Sequence, residues 1–247
     1  MNDNKVVELG EGITPIIFGL GGDTQRHQNG FPLGAYFGRR IVSFEDKNGD
    51  GIISRVNCPT YGTTVNPQIA GGPACEIVLS DSAEYIGNPL GRTQLSLSPS
   101  LDLFDWLKVQ AVLDHRGGVT LNNSTEFFRC NVAFNVCRGV QDKNAPLEDQ
   151  AKAMSTFMGT RAAYFEKADF WKLRELSFTV SVPRRFSNAL RIGGTSVTVA
   201  GRNLKTWTDY TGLDPELNVS AAANFNTADF LTQPPVRYWV TRVNLTF

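Results

Sequence analysis

The sequence predicts an all-β chain, a stretch of antiparallel transmembrane β-barrel wall with long external loops. Three observations lead there: apolar and polar residues alternate with period two along most of the chain, connections alternate short and long, and helical spacing is confined to one short segment. Seven strands are expected, at 6–17, 32–45, 92–104, 107–115, 168–182, 195–209 and 235–247. Several exceed the ~5–6 residues usual for a globular strand and suit the ~9–11 of a tilted membrane strand.

The alternation is explicit. In 95–103, Leu95, Leu97, Pro99, Leu101 and Leu103 alternate with Ser96, Ser98, Ser100 and Asp102. In 107–113, Leu107, Val109, Ala111 and Leu113 face away from Lys108, Gln110 and Val112. Leu176, Phe178, Val180 and Val182 oppose Glu175, Ser177, Thr179 and Ser181. At the C-terminus Trp239, Thr241, Val243, Leu245 and Phe247 oppose Val240, Arg242, Asn244 and Thr246. Each run therefore has one apolar and one polar side. The single helix is expected within 145–159, where Leu147, Ala151, Met154 and Met158 recur at helical spacing behind Pro146.

Alternation alone is shared with a soluble β-sandwich, whose apolar side faces inward. Connection lengths separate the two. Segments 19–31, 105–106 and 183–194 are short; 46–91, 116–167 and 210–234 are long. Outer-membrane barrels have short periplasmic turns and long outer loops, and a sandwich has no reason to sort its loops this way. With residue 247 on the periplasmic side, all three long segments fall outside. Seven is odd, while bacterial single-chain barrels have even strand numbers, so the expectation is part of a larger barrel.

Composition excludes some classes. Over 247 residues, 24 Lys+Arg balance 24 Asp+Glu, which argues against a nucleic-acid binder. Hydrophobic residues make up 41%, too many for a disordered chain. No apolar run approaches the ~18 residues of a spanning helix; the best, 13–20, is interrupted by Pro15 and Gly19. These averages suit a soluble protein and also a barrel, because averaging over two opposite faces hides both.

Cys58 and Cys75, and Cys130 and Cys137, fall within two of the long connections. Local, even-numbered, loop-borne cysteines read as two disulfides and an oxidising compartment; four independent thiols are the alternative. Asp46, Asn48, Asp50 and the Ile52 carbonyl match the first half of a calcium loop. Ser54 and Asn57 stand at positions nine and twelve, where the bidentate carboxylate is missing, so a polar Asx–Gly turn competes with the metal reading. Trp106, Trp171, Trp207 and Trp239 near strand ends fit an aromatic girdle. No Gly-x-Ser-x-Gly, phosphate loop or His-Glu-x-x-His is present, and no catalytic residue or organic cofactor is expected. Asp114-His115-Arg116 reads as a polar strand end, and Glu166, Asp169, Arg174 and Glu175 as charges on a lumen or surface face.

Five separated blocks carry a family resemblance. FEKADFWKLRELSFTVSVP at 165–183 and VAGRNLKTWTDYTGLDPE at 199–216 resemble the penultimate strands of SusC/RagA-type TonB-dependent outer-membrane transporters. Gly30-Phe31-Pro32-Leu33-Gly34, the Asp46–Gly51 loop and Ile86-Gly87-Asn88-Pro89 are similar to further blocks of that family. Trp239, Val243, Leu245 and a terminal Phe247 resemble the barrel-insertion signal. The resemblance implies a roughly 22-stranded barrel with an N-terminal plug, located in the cell outer membrane. It implies uptake of oligosaccharides or peptides, a SusD-like surface lipoprotein over the barrel, TonB acting through the plug, and the barrel-assembly machinery and outer-membrane lipid as further partners. Residues 1–247 would be the C-terminal portion of the barrel, with plug and signal peptide absent, unable to transport alone. Loops 46–91, 116–167 and 210–234 would meet substrate and partner. Two rivals are a secreted, calcium-stabilised β-sandwich that binds carbohydrate and a small eight-stranded barrel used as an adhesin.

Overall fold

The structure, a computed structural model, describes residues 2–19, 24–58, 75–131, 133–183, 193–220 and 227–246. In chain order the first strands are β1 (Ile16–Phe18), β2 (Gln25–His27), β3 (Ala35–Gly38), β4 (Ile41–Phe44), β5 (Ile77–Leu79) and β6 (Glu84–Gly87). Then come β7 (Thr93–Leu97), β8 (Ser100–Leu103), β9 (Leu107–Gly117) and β10 (Thr120–Asn122). Three helices follow, α1 (Ser124–Cys130), α2 (Arg138–Gln141) and α3 (Leu147–Ser155). The chain closes with β11 (Phe165–Lys167), β12 (Phe170–Ser181), β13 (Gly194–Thr208) and β14 (Tyr238–Thr246).

One antiparallel sheet dominates, in the order β14-β13-β12-β9-β7, with β8 also paired to β9. It forms the wall. β7 and β8 are in effect one strand: Leu97 faces Leu113 and Ser100 faces Gln110, so register is kept across Ser98-Pro99, and the Ala111 amide still donates to the Pro99 carbonyl. Proline lacks an N–H, which accounts for the gap in the ladder. The hairpin to β9 turns through Phe104 and Asp105, both left-handed at φ 56° and 58°. Primed turns of this hand match strand twist. Between β12 and β13 the register shifts at Leu173/Glu175, opposite a left-handed Asn203, as a β-bulge requires.

The wall contains the five C-terminal strands expected from the sequence, but the two N-terminal ones differ. Residues 6–17 are not a long strand: Gly10 and Gly12 take positive φ, and only β1 pairs, just beyond Pro15. Segment 32–45 divides at Arg39-Arg40 because its halves have different partners, β3 pairing with β2 and β6, and β4 with β5. These strands belong to small separate sheets.

The core lies in the loops. The long connections and the N-terminal segments build a lobe around two clusters, one of Ile53, Cys58, Ile77, Leu79, Ala151 and Met158, the other of Phe127, Cys130, Cys137, Ala153 and Tyr164. α3 serves both, with Ala151 in one and Ala153 in the other. Gly139 lets α2 lie against α3: a Cβ there would sit 2.2 Å from the Asp149 carbonyl oxygen. Helix α3 matches the expected helix; α1 and α2 were not signalled by apolar periodicity. Among the described residues no helix is long and apolar enough to cross a membrane.

Candidate functional site

Cross-strand register sorts the wall into two faces. Leu101, Val109, Phe178 and Val199 are aligned across four strands, and Leu103, Leu107, Val180, Val197 and Val243 across five. Trp171 faces both Trp207 and His115, and stacks on His115 at 4.5 Å. His115 thus lies on the apolar face, unlike the polar strand end the sequence suggests, because it and Asp114 alternate. Leu95, Leu97, Leu101, Phe178, Trp207, Trp239, Val243 and Leu245 are exposed, whereas a sandwich would cover them with a second sheet.

The opposite face is polar. One row runs Val112, Glu175, Arg202, Tyr238, with the Arg202 Nε donating to Glu175 Oε2 at 2.8 Å. Another pairs Thr179 with Thr198, their hydroxyls 2.9 Å apart. Near the loop end of the wall, Lys172 and Arg174 anchor a charged network. Lys172 Nζ donates to both Asp214 oxygens at 2.7 and 2.8 Å and to Glu216 Oε2 at 2.6 Å. Arg174 clamps Glu216 with two bonds of 2.6 Å and reaches Asp114 Oδ2 at 2.8 Å, while Ser96 donates to Asp114 Oδ1 at 2.7 Å. The side chains of Lys172 and Asp214 are only 6% and 11% exposed, so these are desolvated pairs whose removal leaves an uncompensated charge. Burial would raise the Glu216 carboxyl, but the bonds from Arg174 and Lys172 outweigh it and hold it below its usual range.

The 208–216 segment, part of the 199–216 sequence block, is a fastener. Thr208 donates to the Asp169 carbonyl, Tyr210 enters a core cluster with Val119, Leu121 and Ala168, and Thr211 donates to Glu166 through both amide and hydroxyl. Asp214 and Glu216 then bind the polar face. The next buried tie is Asp229, fully buried, which accepts from Tyr210 Oη at 2.9 Å and Thr125 Oγ1 at 3.0 Å. Burial drives its carboxyl above its ordinary value despite those bonds, and burial likewise raises the Tyr210 phenol. Tyr36, fully buried, donates to the Thr227 carbonyl at 2.6 Å, and Thr227 donates to Gln25. The sequence marks few of these partners, because they meet across separations of 18 to 202 residues.

A cavity of about 570 Å³ is bordered by Glu148, Lys152, Phe165, Glu166 and Lys167 of the 116–167 segment and by Phe44 of β4, outside the loops named from sequence. Cys58 is joined to Cys75 and Cys130 to Cys137. The bonded Cys130 and Cys137 lie beside Glu126, and their sulfurs are engaged with one another rather than with a metal. At the calcium-like loop, Asp46 Oδ1 accepts from the Gly49 and Asp50 amides and Oδ2 from Gly51. Asp50 Oδ1 accepts from the Ile52 amide, and Asn48 Nδ2 donates to Asp50 Oδ2. The loop is thus a run of Asx turns in itself. The buried Glu76 closes it, taking the Lys47 amide on one oxygen and the Ser54 amide on the other. Trp239, Val243 and Leu245 lie exposed along β14; Phe247 lies outside the described residues.

The chain thus forms an amphipathic antiparallel wall, apolar on one side and charged on the other, beside a packed loop lobe. No family model matches the chain. A TonB-dependent receptor, P3 of Formosa agariphila, is 32% identical over 89 residues, 34% of this chain and 9% of that protein. Among solved structures, the RagAB peptide importer in its closed-closed state gives a TM-score of 0.64 at 18% identity, over 98% of this chain and 26% of that one. The RagAB peptide transporter gives 0.64 at 19%, over 98% and 25%, and the open-open state 0.60 at 18%, over 98% and 25%. The chain therefore spans about a quarter of the solved chains and less than a tenth of the receptor. The resemblance read from the sequence agrees with both comparisons, with a TonB-dependent receptor in sequence and with the RagAB structures in fold.

Proposed function

We propose that this chain is the C-terminal barrel portion of a SusC/RagA-type, TonB-dependent outer-membrane receptor that imports a nutrient of the oligosaccharide or peptide class. The observation that carries this reading is the register of the wall, in which apolar and polar residues fall on opposite faces across β7–β9 and β12–β14. A lipid-facing side and a lumen-facing side explain that division; a soluble sheet leaves its exposed apolar side unexplained. The role is binding and passage, with no covalent step. The polar face lines the route, and the lobe presents the external surface to substrate and to a SusD-like lipoprotein. TonB would act through a plug outside this segment.

Deletion of the gene that encodes the whole receptor tests the reading. Growth on one class of oligosaccharide or peptide should be lost, and a tagged copy should fractionate with the outer membrane. Recovery of the tagged protein in the soluble fraction without detergent, with growth unaffected, would overturn it.

A further inference from the structure

Two short sheets of the lobe leave strand edges open. β4 pairs only with β5, and β11 only with β10, so among the described residues no strand lies against the outer edge of β4 or of β11. The ladder decides which residues face outward. In an antiparallel pair, residues alternate between those that turn N–H and C=O toward the partner strand and those that turn both away. The Ser80 amide donates to the Arg40 carbonyl and the Glu45 amide to the Glu76 carbonyl, so Arg40 and Glu45 turn toward β5. Ile41, opposite Leu79, and Phe44, opposite Ile77, therefore turn outward. On β11 the Ala168 amide donates to the Val119 carbonyl, and the Tyr164 carbonyl accepts from the Asn123 amide. Phe165 and Lys167, which lie between those inward-turned residues, therefore turn away from β10. The Phe165 amide closes on the Ala162 carbonyl, and its carbonyl and both Lys167 groups point outward.

Both edges meet the cavity of about 570 Å³. The two outward residues of β4, Ile41 and Phe44, border it, and so do Phe165, Glu166 and Lys167 of β11. Side chains of a strand alternate between its faces, so a space touched by three consecutive residues lies against the strand's edge. Ile41, Phe44, Phe165 and, from β6, Ile86 give the cavity an apolar lining, and Phe44 is 37% exposed. Lys152 and Glu166, also on the border, are already paired with each other. What the cavity offers a ligand is chiefly apolar surface and open strand edge.

We propose that this cavity takes a short extended peptide, which pairs along the outer edge of β4 and sets an apolar side chain against Phe44 and Phe165. An extended backbone presents the N–H and C=O groups that complete a strand edge, and the pockets beside the edge select its side chains. An oligosaccharide has no such backbone. The volume lies in the range of small-ligand sites. This inference rests on the import reading and names the substrate class within it.

The test is titration calorimetry of the full-length receptor in detergent. The probes are a blocked pentapeptide of alternating serine and phenylalanine, its fully N-methylated analogue, and a neutral pentasaccharide. Saturable binding of the peptide is expected, about tenfold weaker for the N-methylated analogue. Ile41→Pro removes one outward N–H, a change an edge strand tolerates, and Phe44→Ala removes an apolar wall. Each should weaken the peptide about tenfold, with unchanged melting in its absence. If one variant fails to fold, the other decides, and the N-methylated analogue needs neither. Absence of saturable peptide binding, as when the rest of the receptor already covers the β4 edge, overturns the proposal. So does equal binding of the N-methylated analogue, peptide binding that a folded variant leaves unchanged, or binding of the pentasaccharide alone. Peptide binding at this edge, with growth unaffected by deletion of the receptor gene, would count against the import reading alone. Growth lost on deletion, with no peptide bound, would count against this site alone.

Discussion

β14 and α3 are both nine residues long, yet every residue of β14 is exposed while α3 buries Gln150, Ala151, Ala153 and Ser155. The same contrast separates the whole wall from the whole lobe. The wall is held by its ladder and leaves most of its apolar face open, while on the polar side Phe170, Lys172, Ser177 and Ala200 are buried. The lobe has apolar clusters, two disulfides and buried polar ties, and it carries its own core. One region is held by its strand ladder, the other by its own buried clusters. They are fastened by Lys172, Arg174, Asp214 and Glu216.

The largest expected effect comes from cutting that fastener. Lys172→Ala leaves Asp214 buried without its cation and should cost about 3–5 kcal/mol. Hydrogen exchange should show protection lost in 208–217 while β13 and β14 stay protected. If the wall strands lose protection equally, wall and lobe are one cooperative unit and the contrast fails.

Next, charge placed on the two faces should act differently. Phe178→Arg puts a cation on the apolar face, where the cost is about 2–4 kcal/mol at mid-membrane depth, and Thr179→Arg puts one on the polar face at little cost. Unfolding of the full receptor in lipid vesicles measures both. Equal costs would show that the faces are not divided between lipid and water.

The disulfides sharpen the lobe's side of the comparison. By loop closure, Cys58→Ser should cost about 3 kcal/mol and Cys130→Ser about 2 kcal/mol, since the bonds span 17 and 7 residues. Proteolysis of the lobe with and without reductant should reproduce that order, leaving the wall fragment intact.

How much was legible follows the same division. The wall could be read because a strand's period is two and its apolar and polar residues alternate: Leu107 to Leu113 and Glu175 to Val182 declare their faces without reference to any partner. Even there the bulge at Leu173/Glu175 was invisible, since a shift of register depends on the neighbour. The lobe was mostly illegible because its determinants are distant in sequence. Tyr36 meets Thr227, and Ile53 donates to Gln150, pairings no local pattern encodes. The cysteines were visible because their spacing is short. Segment 32–45 misled because its apolar residues serve two different sheets. Lys172 was overlooked because one lysine in an alternating strand reads as a solvated lumen charge, and only the fold brings Asp214 and Glu216 onto it.

The smallest expected effect is on pH dependence, and it separates two carboxylates of the same segment. Glu216 is held below its ordinary value, so its contribution is complete above the ordinary glutamate range and is lost as pH falls through its lowered value. Asp229 is raised by burial first, and the nearby Asp214 and Glu166 add to it, outweighing the bonds from Tyr210 and Thr125. Its contribution is complete below the ordinary aspartate range and is lost as pH rises through its raised value. Acidifying from neutrality should therefore firm the Asp229 tie before it weakens the Glu216 tie, giving the lobe a stability maximum on the mildly acidic side. Asp229→Asn should remove the gain on acidification, and Glu216→Gln the loss at the acid end. Melting of the lobe across pH checks both, and a profile that Asp229→Asn leaves unchanged would mean that this carboxyl titrates like an exposed one. That would place the buried end of the 208–230 segment in water and leave the Lys172 cluster as the main tie between lobe and wall.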